Sequence, residues 1–277
     1  MGRHKRGVGR AERRVPRGDV RGRGAAARPM AGGNRPLLAL SMIVRDEEAN
    51  LRRLLPAIRD GFDEIVVADT GSTDGTVDFL RSIGATVVEI PWLDDFGAAR
   101  TASLRLARAR WVLWLDADDE LAREDVDRLR ALLESSPEKV AYFLELQNAG
   151  SAASPSSSCQ QLRVFPNRPG IAFEGRIHEQ VALSLARQGV RFLRAPIAVR
   201  HRGYIDPAQV RKKFERNLRL LRRERAERPN DPALVYHVAQ TLVGLDLYGE
   251  AIVVLRALER FPAKDAVVRE MIVRGRL

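Results

Sequence analysis

The stretch WVLWLDADD, residues 111–119, joins an uninterrupted apolar run to three carboxylates. The run 111–115 has no polar face, the pattern of a strand covered on both sides. Asp116, Ala117, Asp118 and Asp119 follow at once. Residues two apart on extended backbone point the same way, so the carboxylates of Asp116 and Asp118 can face one cation. Ligands of open α/β sheets bind outside the carboxyl ends of the strands, where this pair falls. Hard divalent cations such as Mg2+ or Mn2+ take oxygen ligands of this kind and fill the remaining positions with water and phosphate. Taken alone, the pair also reads as an acidic first turn of the next helix.

Upstream of it, apolar runs alternate with helical periodicity. LLALSMIV (37–44), EIVVA (64–68) and ATVVEI (85–90) read as strands. Helices are predicted over 47–58, with Leu51, Leu54, Leu55 and Ile58 on one face, over 76–83, and over 96–108, with Leu104 and Leu106 inside. A further helix is expected over 124–133. This alternation calls for a mostly parallel sheet with helices on both faces. A strand over 140–146 closes the regular part, and the Ser/Ala-rich 147–158 reads as a mobile loop. Short strands are expected near 162–165 and 197–201. From residue 206 the pattern is helical only: 207–225, a helix begun by Asn230-Asp231-Pro232, 248–261 and 265–274. Residues 232–262 resemble one tetratricopeptide repeat, with Ala239 and Ala251 as its small residues, Tyr248 before Glu250-Ala251, and Pro262 closing it.

The 277 residues suffice for one catalytic domain and a small appendage. The net charge of +11 points first to nucleic acid, yet +9 of it lies in residues 1–36. The remainder is close to neutral, which disfavours a nucleic-acid partner. The segment 1–36 is rich in Gly, Arg and Ala, too poor in large apolar residues to form a core, and reads as a disordered basic tail suited to an anionic membrane surface. No apolar run approaches the roughly 18 residues of a membrane span, and no apolar stretch follows the basic start as in a secretory signal. The single cysteine, Cys159, permits no internal disulfide. The expected location is therefore the cytoplasm, at the inner face of the membrane if the tail acts as a tether.

A second acidic signal is Asp69, at the end of the 64–68 strand and the same sheet edge. Ser72, Thr73 or Asp74 in the following GSTDG can cap the helix behind it, but Asp69 precedes the cap, and a carboxylate there suits a donor group of a nucleotide. Neither GK[ST] nor GxGxxG after a strand occurs, which argues against a P-loop or a dinucleotide enzyme. Beyond the main sheet, His201 could ligate a metal or a diphosphate.

SMIVRDEEANL, EIVVADTGSTDGT, WLDDFGAARTASL, WVLWLDADDEL and FEGRIHEQV, in this order, resemble glycosyltransferase family 2, and within it the branch of lipopolysaccharide-core glucosyltransferases and bacteriocin S-glycosyltransferases. The resemblance covers roughly 37–262. It implies a GT-A catalytic domain over 37–205, followed by a tetratricopeptide-like helical region over 206–277. By resemblance, Ser41–Glu48 (Arg45 and Glu47 among them), Asp69 and Ser72 hold the nucleotide of a UDP-linked sugar. Asp116 and Asp118 form the metal-binding DxD, Asp94, Asp95 and Arg100 line the donor side, and His178 and Glu179 stand at the acceptor face, with Glu179 as the general base of the transfer. Thr101 and Pro166 depart from the family pattern, which has Asn and Arg there. The implied reaction is an inverting, metal-assisted, in-line transfer of a sugar to a glycan, lipid-linked sugar or peptide. Two other readings stay open: a sugar-nucleotide nucleotidyltransferase, disfavoured by Arg45-Asp46-Glu47-Glu48 where a Gly-rich basic loop is needed, and a non-enzymatic interaction protein using its helices.

Overall fold

A computed structural model describes residues 35–148, 157–202 and 207–261. The tail expected over 1–36 lies outside the described residues up to Asn34, as do most of the 147–158 loop and the last expected helix, 265–274. Residues from Arg35 onward form one compact unit.

Strands β1 (Leu38–Val44), β2 (Glu64–Asp69), β3 (Thr86–Glu89) and β4 (Trp111–Trp114) form a parallel half-sheet in the order β3-β2-β1-β4. Helices α1 (Glu48–Ile58), α2 (Thr76–Ser82) and α3 (Phe96–Leu104) return the chain between them, as parallel pairing requires. Side-chain alternation then makes three layers. Leu38, Leu40, Met42 and Val44 of β1 pack in one core with α1 and with α4 (Arg123–Ser135). Ala39, Val112 and Trp114 point the other way, into a second core with Leu104 of α3. Burial on both faces explains why these strands read as continuous apolar runs.

The other half of the sheet is mixed. β7 (Ser157–Pro166) pairs antiparallel with β4 and with β6 (Val140–Asn148), and β6 pairs parallel with β8 (Arg191–His201). The two-residue β5 (Asp119–Glu120) closes the order β3-β2-β1-β4-β7-β6-β8-β5, with Asp119 opposite His201. That register brings His201 to the acidic edge.

Several elements differ from the sequence reading. α3 stops at Leu104 and not at 108, because Glu64 takes the backbone N–H groups of Arg108 and Ala109 at 2.6 and 2.5 Å and turns the chain into β4. Leu106 is consequently only half-buried. β6 and β7 run on into the Ser/Ala-rich segment, pairing as far as Asn148 with Ser157. β8 begins six residues before the expected 197. The short helix α5 (Ala182–Arg187), unforeseen, buries Leu185 in the second core.

The helical segment consists of α6 (Pro207–Glu227), α7 (Pro232–Val243) and α8 (Tyr248–Arg256). Asp231 caps α7 through the Ala233 N–H at 3.0 Å, with Pro232 in the first turn, where its fixed φ costs nothing. Gly244 lets the ring of Phe214 approach, since a Cβ would meet it at 2.6 Å. Leu218, Leu221, Leu234, Val238 and Ala251 form a third core, which takes in Ile177 from the segment before α5. No helix among the described residues is long and apolar enough to cross a membrane.

Candidate active site

The loops after β1 and β2 are stitched together. Asp46 N–H donates to Ser72 Oγ (2.8 Å), Glu47 N–H to Thr76 Oγ1 (2.8 Å), and Thr73 N–H to Asp46 Oδ1 (2.6 Å). Gly75 N–H donates to Glu48 Oε2 at 3.1 Å, and Asp74 accepts from Thr76 N–H at 3.0 Å, near the start of α2. Asp69, buried at the end of β2, turns its carboxylate into its own loop, accepting from the N–H groups of Gly71 and Ser72 at 3.0 Å and from the Ser72 hydroxyl. Asp69 and Ser72 therefore shape the loop of the expected nucleotide pocket. Arg45 is exposed at its start. Glu47 accepts from Asn50 at 2.6 Å. Burial above all, then the charges of Asp118 and Asp116, raises its pKa against that hydrogen bond, so Glu47 belongs to the field of the acidic edge.

At that edge Asp116, Asp118, Asp119 and His201 each bring one ligand atom within 4.8 Å of the others. Asp119, with no exposed surface, braces the group. It accepts from Asp116 N–H at 2.8 Å, from Arg163 at 3.0 Å and from His201 Nδ1 at 2.9 Å. A carboxylate only accepts, so Nδ1 carries the hydrogen, and Nε2 offers a lone pair whenever the ring is neutral. Nε2 lies 3.5 Å from Asp118 Oδ2. A carboxylate fixing the far nitrogen of an imidazole is the usual support of a metal-ligating histidine. The hydrogen bond to Asp119 raises the His201 pKa, burial opposing. Burial, aided by Asp116 and Asp119, raises that of Asp118 against the pull of His201. Burial would raise Asp116 too, but Arg100, then Arg163 and His201, outweigh it and hold its carboxyl well below the usual range. Two oxygen donors and one imidazole, with excess negative charge around them, suit Mg2+ or Mn2+.

Arg100, 7% exposed, links this edge to the far loop. Its Nη2 donates to Asp116 Oδ1 at 2.6 Å and its Nε to Glu179 Oε1 at 2.5 Å. Its guanidinium also lies 4.0 Å from the centroid of the Trp114 ring, and that of Arg163 3.7 Å. Such contacts are worth about 2 kcal/mol when desolvated.

The other expected residues make their contacts away from the Asp116–Asp119 edge. Asp95 caps α3 through Ala98 N–H at 2.8 Å and lies 3.6 Å from Arg176. Asp94 accepts from Trp92 and from Arg219 of α6. Of that block, Arg100 is the residue bonded to Asp116. His178, at φ 52°, stacks on His237 of α7 with ring centroids 4.1 Å apart. Its outer edge stays exposed, while the covered face, then His237 and Lys213, lower its pKa. It contacts the helical segment, not Glu179. Thr101 puts its hydroxyl on Phe173 N–H at 3.0 Å.

Arg163 is the residue of this cluster that sequence reasoning missed, and Asp119, seen there as part of the acidic turn, was given no bracing role. The available signal was Arg163 itself, a charge inside the apolar LRVF of a buried strand, which demands a buried partner. Arg163→Met is expected to cost about 3–5 kcal/mol in urea unfolding, because it strands the buried Asp119. A loss under about 1 kcal/mol would show that the pair does not brace the site.

Residues 40–147 match the family model described as Glycosyl transferase family 2. A TPR repeat-containing protein of Synechococcus elongatus is 37% identical over 213 residues, covering 74% of this chain and 52% of that protein. The SPbeta prophage-derived glycosyltransferase SunS of Bacillus subtilis is 27% identical over 229 residues, covering 78% and 52%. The chain thus spans about half the length of these curated relatives. Among solved structures, the mannosyltransferase PcManGT of Pyrobaculum calidifontis, in complex with GDP-Man and Mn2+, aligns at 18% identity and a TM-score of 0.48, over 87% of this chain and 80% of that one. With the parallel half-sheet and the DxD edge in place, the segment 40–147 is a family 2 glycosyltransferase domain.

Proposed function

We propose that the chain catalyses inverting transfer of a sugar from a nucleotide diphosphate donor, UDP-linked, to an acceptor nucleophile on a glycan, lipid-linked sugar or peptide. The observation that supports this most is Arg100 spanning Asp116 and Glu179: one guanidinium ties the cation edge to a carboxylate on a separate loop. Asp116, Asp118 and His201 would hold a divalent cation, which supplies neutralisation of the charge on the departing diphosphate. Arg100 is placed to grip a phosphate oxygen in fork geometry. The stitched loops of β1 and β2, with Arg45, Glu47, Asp69 and Ser72, form the nucleotide side. Glu179 is the general base: Arg100 holds Oε1, and Oε2 takes the acceptor's proton. Asp94, Asp95 and His178 act through the scaffold. We read 37–205 as the catalytic part and 206–277 as a second region, whose described residues, 207–261, are mostly helical. α7 and α8 are read as one tetratricopeptide-like pair, a reading that the name of the Synechococcus relative supports.

Thermal unfolding with Mn2+ and each of UDP-glucose, UDP-N-acetylglucosamine and GDP-mannose tests this reading. A bound donor should stabilise by about 2.7 kcal/mol at a hundredfold excess over Kd, and EDTA should remove the shift. The absence of a metal-dependent shift with all three would refute the donor assignment.

A further inference from the structure

The hairpin carrying Glu179 is held by the helical segment as well as by the sheet domain. Its ends close through Glu174 and Gln180, whose N–H groups and carbonyls exchange hydrogen bonds at 3.0 and 2.8 Å. α3 holds one part: Phe96 N–H donates to the Arg176 carbonyl at 2.8 Å, and Gly97 permits the approach, since a Cβ there would lie 2.5 Å from the Gly175 carbonyl oxygen. From α6, Glu224 reaches the same turn. Its carboxylate, 3% exposed, accepts from Arg176 N–H at 3.1 Å and from Arg228 at 2.5 Å. Arg176 bonds in turn to Glu227 at 2.8 Å, Ile177 enters the third core, and His178 stacks on His237.

A desolvated carboxylate makes a strong, directional bond to a backbone amide. Gly175, at φ 99°, is the pliable joint just before that amide, and Glu179 follows three residues after it. Without this bond the turn would keep its side-chain contacts to the helical segment, but α3 would be left as its backbone anchor outside the hairpin itself. Misplacement of a catalytic group by about 1 Å can cost on the order of 10²-fold in rate.

We propose that Glu224 is a positioning residue for Glu179, setting the base through the Arg176 amide and making α6 part of the catalytic apparatus. The inference rests on the reading of Glu179 as general base. Its test is Mn2+-dependent hydrolysis of whichever of the three donors above binds best, water standing in for the acceptor, with UDP–Mn2+ affinity measured by calorimetry. Glu224→Leu should lower kcat by about 10–100-fold, with KM and UDP affinity within about twofold. Glu224→Gln keeps an oxygen for the amide and should stay within about threefold of the unaltered chain. Where Glu224→Leu does not fold, Glu224→Asp, too short to reach Arg176, takes its place with the same expectation. Unchanged kcat in the Leu or Asp variant overturns the proposal. In a Glu179→Gln background, Glu224→Leu should cost nothing further. A full additional loss there means that Glu224 acts elsewhere and overturns the proposal while the base reading stands. A Glu179→Gln chain as active as the unaltered one removes both.

Discussion

Asp118→Ala should abolish Mn2+-dependent donor turnover and leave the chain folded. Asp118 is the freer member of the acidic edge: its side chain lies 3.5 Å from His201 Nε2. Asp119, by contrast, holds an amide, a guanidinium and an imidazole, and its loss would collapse the edge. Burial beside Asp116 and Asp119 raises the Asp118 pKa, and a cation is what relieves such crowding. Removing Asp118 leaves Asp116, already tied to Arg100, and His201 as ligands, so affinity for Mn2+ and for the metal–donor complex should fall together. Stability should stay within about 0.5 kcal/mol, as at a site with no buried partner. Calorimetric titration of Mn2+ with UDP, beside circular dichroism, reads both quantities. Undiminished Mn2+-dependent turnover would show that Asp118 ligates nothing.

How far the site was legible depended on whether a residue's partner lay nearby in sequence. The buried strands announced themselves because both faces are apolar, and the DADD turn because it follows such a strand directly. His201 was recognisable as a ligand type, but its bond to Asp119 exists only through the pairing of the two-residue β5 with β8, across 82 positions. Asp94 and Asp95 looked alike as donor-side carboxylates. In the folded chain one meets Arg219 of a helix 125 residues away and the other caps α3. The length of β6 and β7 was hidden because Gln147-Asn148 and Ser157-Ser158 at their ends carry no apolar alternation, yet backbone pairing continues there. α5, with six residues, is too short for periodicity to show. His178 illustrates the same limit: beside Glu179 in sequence, it turns at positive φ onto α7.

Glu179→Gln should lower turnover by about 10²–10⁴-fold, the usual worth of general-base assistance, while UDP–Mn2+ affinity stays within about twofold. The substitution isolates chemistry from structure because of what Glu179 does in the resting site. Oε1 accepts from Arg100 Nε at 2.5 Å, and a glutamine carbonyl can accept the same bond. Arg100 then keeps its 2.6 Å bond to Asp116, so the donor side is undisturbed. What is lost is the capacity to take a proton at the second oxygen. Arg100→Ala makes the contrast, since it frees both carboxylates at once and should weaken donor binding as well as turnover. The size of the Glu179→Gln effect also reports on the acceptor. An alcohol or water must be deprotonated during attack and suffers the full loss. A thiol, a few per cent ionised near neutral pH, needs less help and should lose less. Comparing hydrolysis with transfer to an added small thiol in the same variant therefore tests the base and the acceptor class together. Unaltered hydrolysis in Glu179→Gln would remove Glu179 from the mechanism.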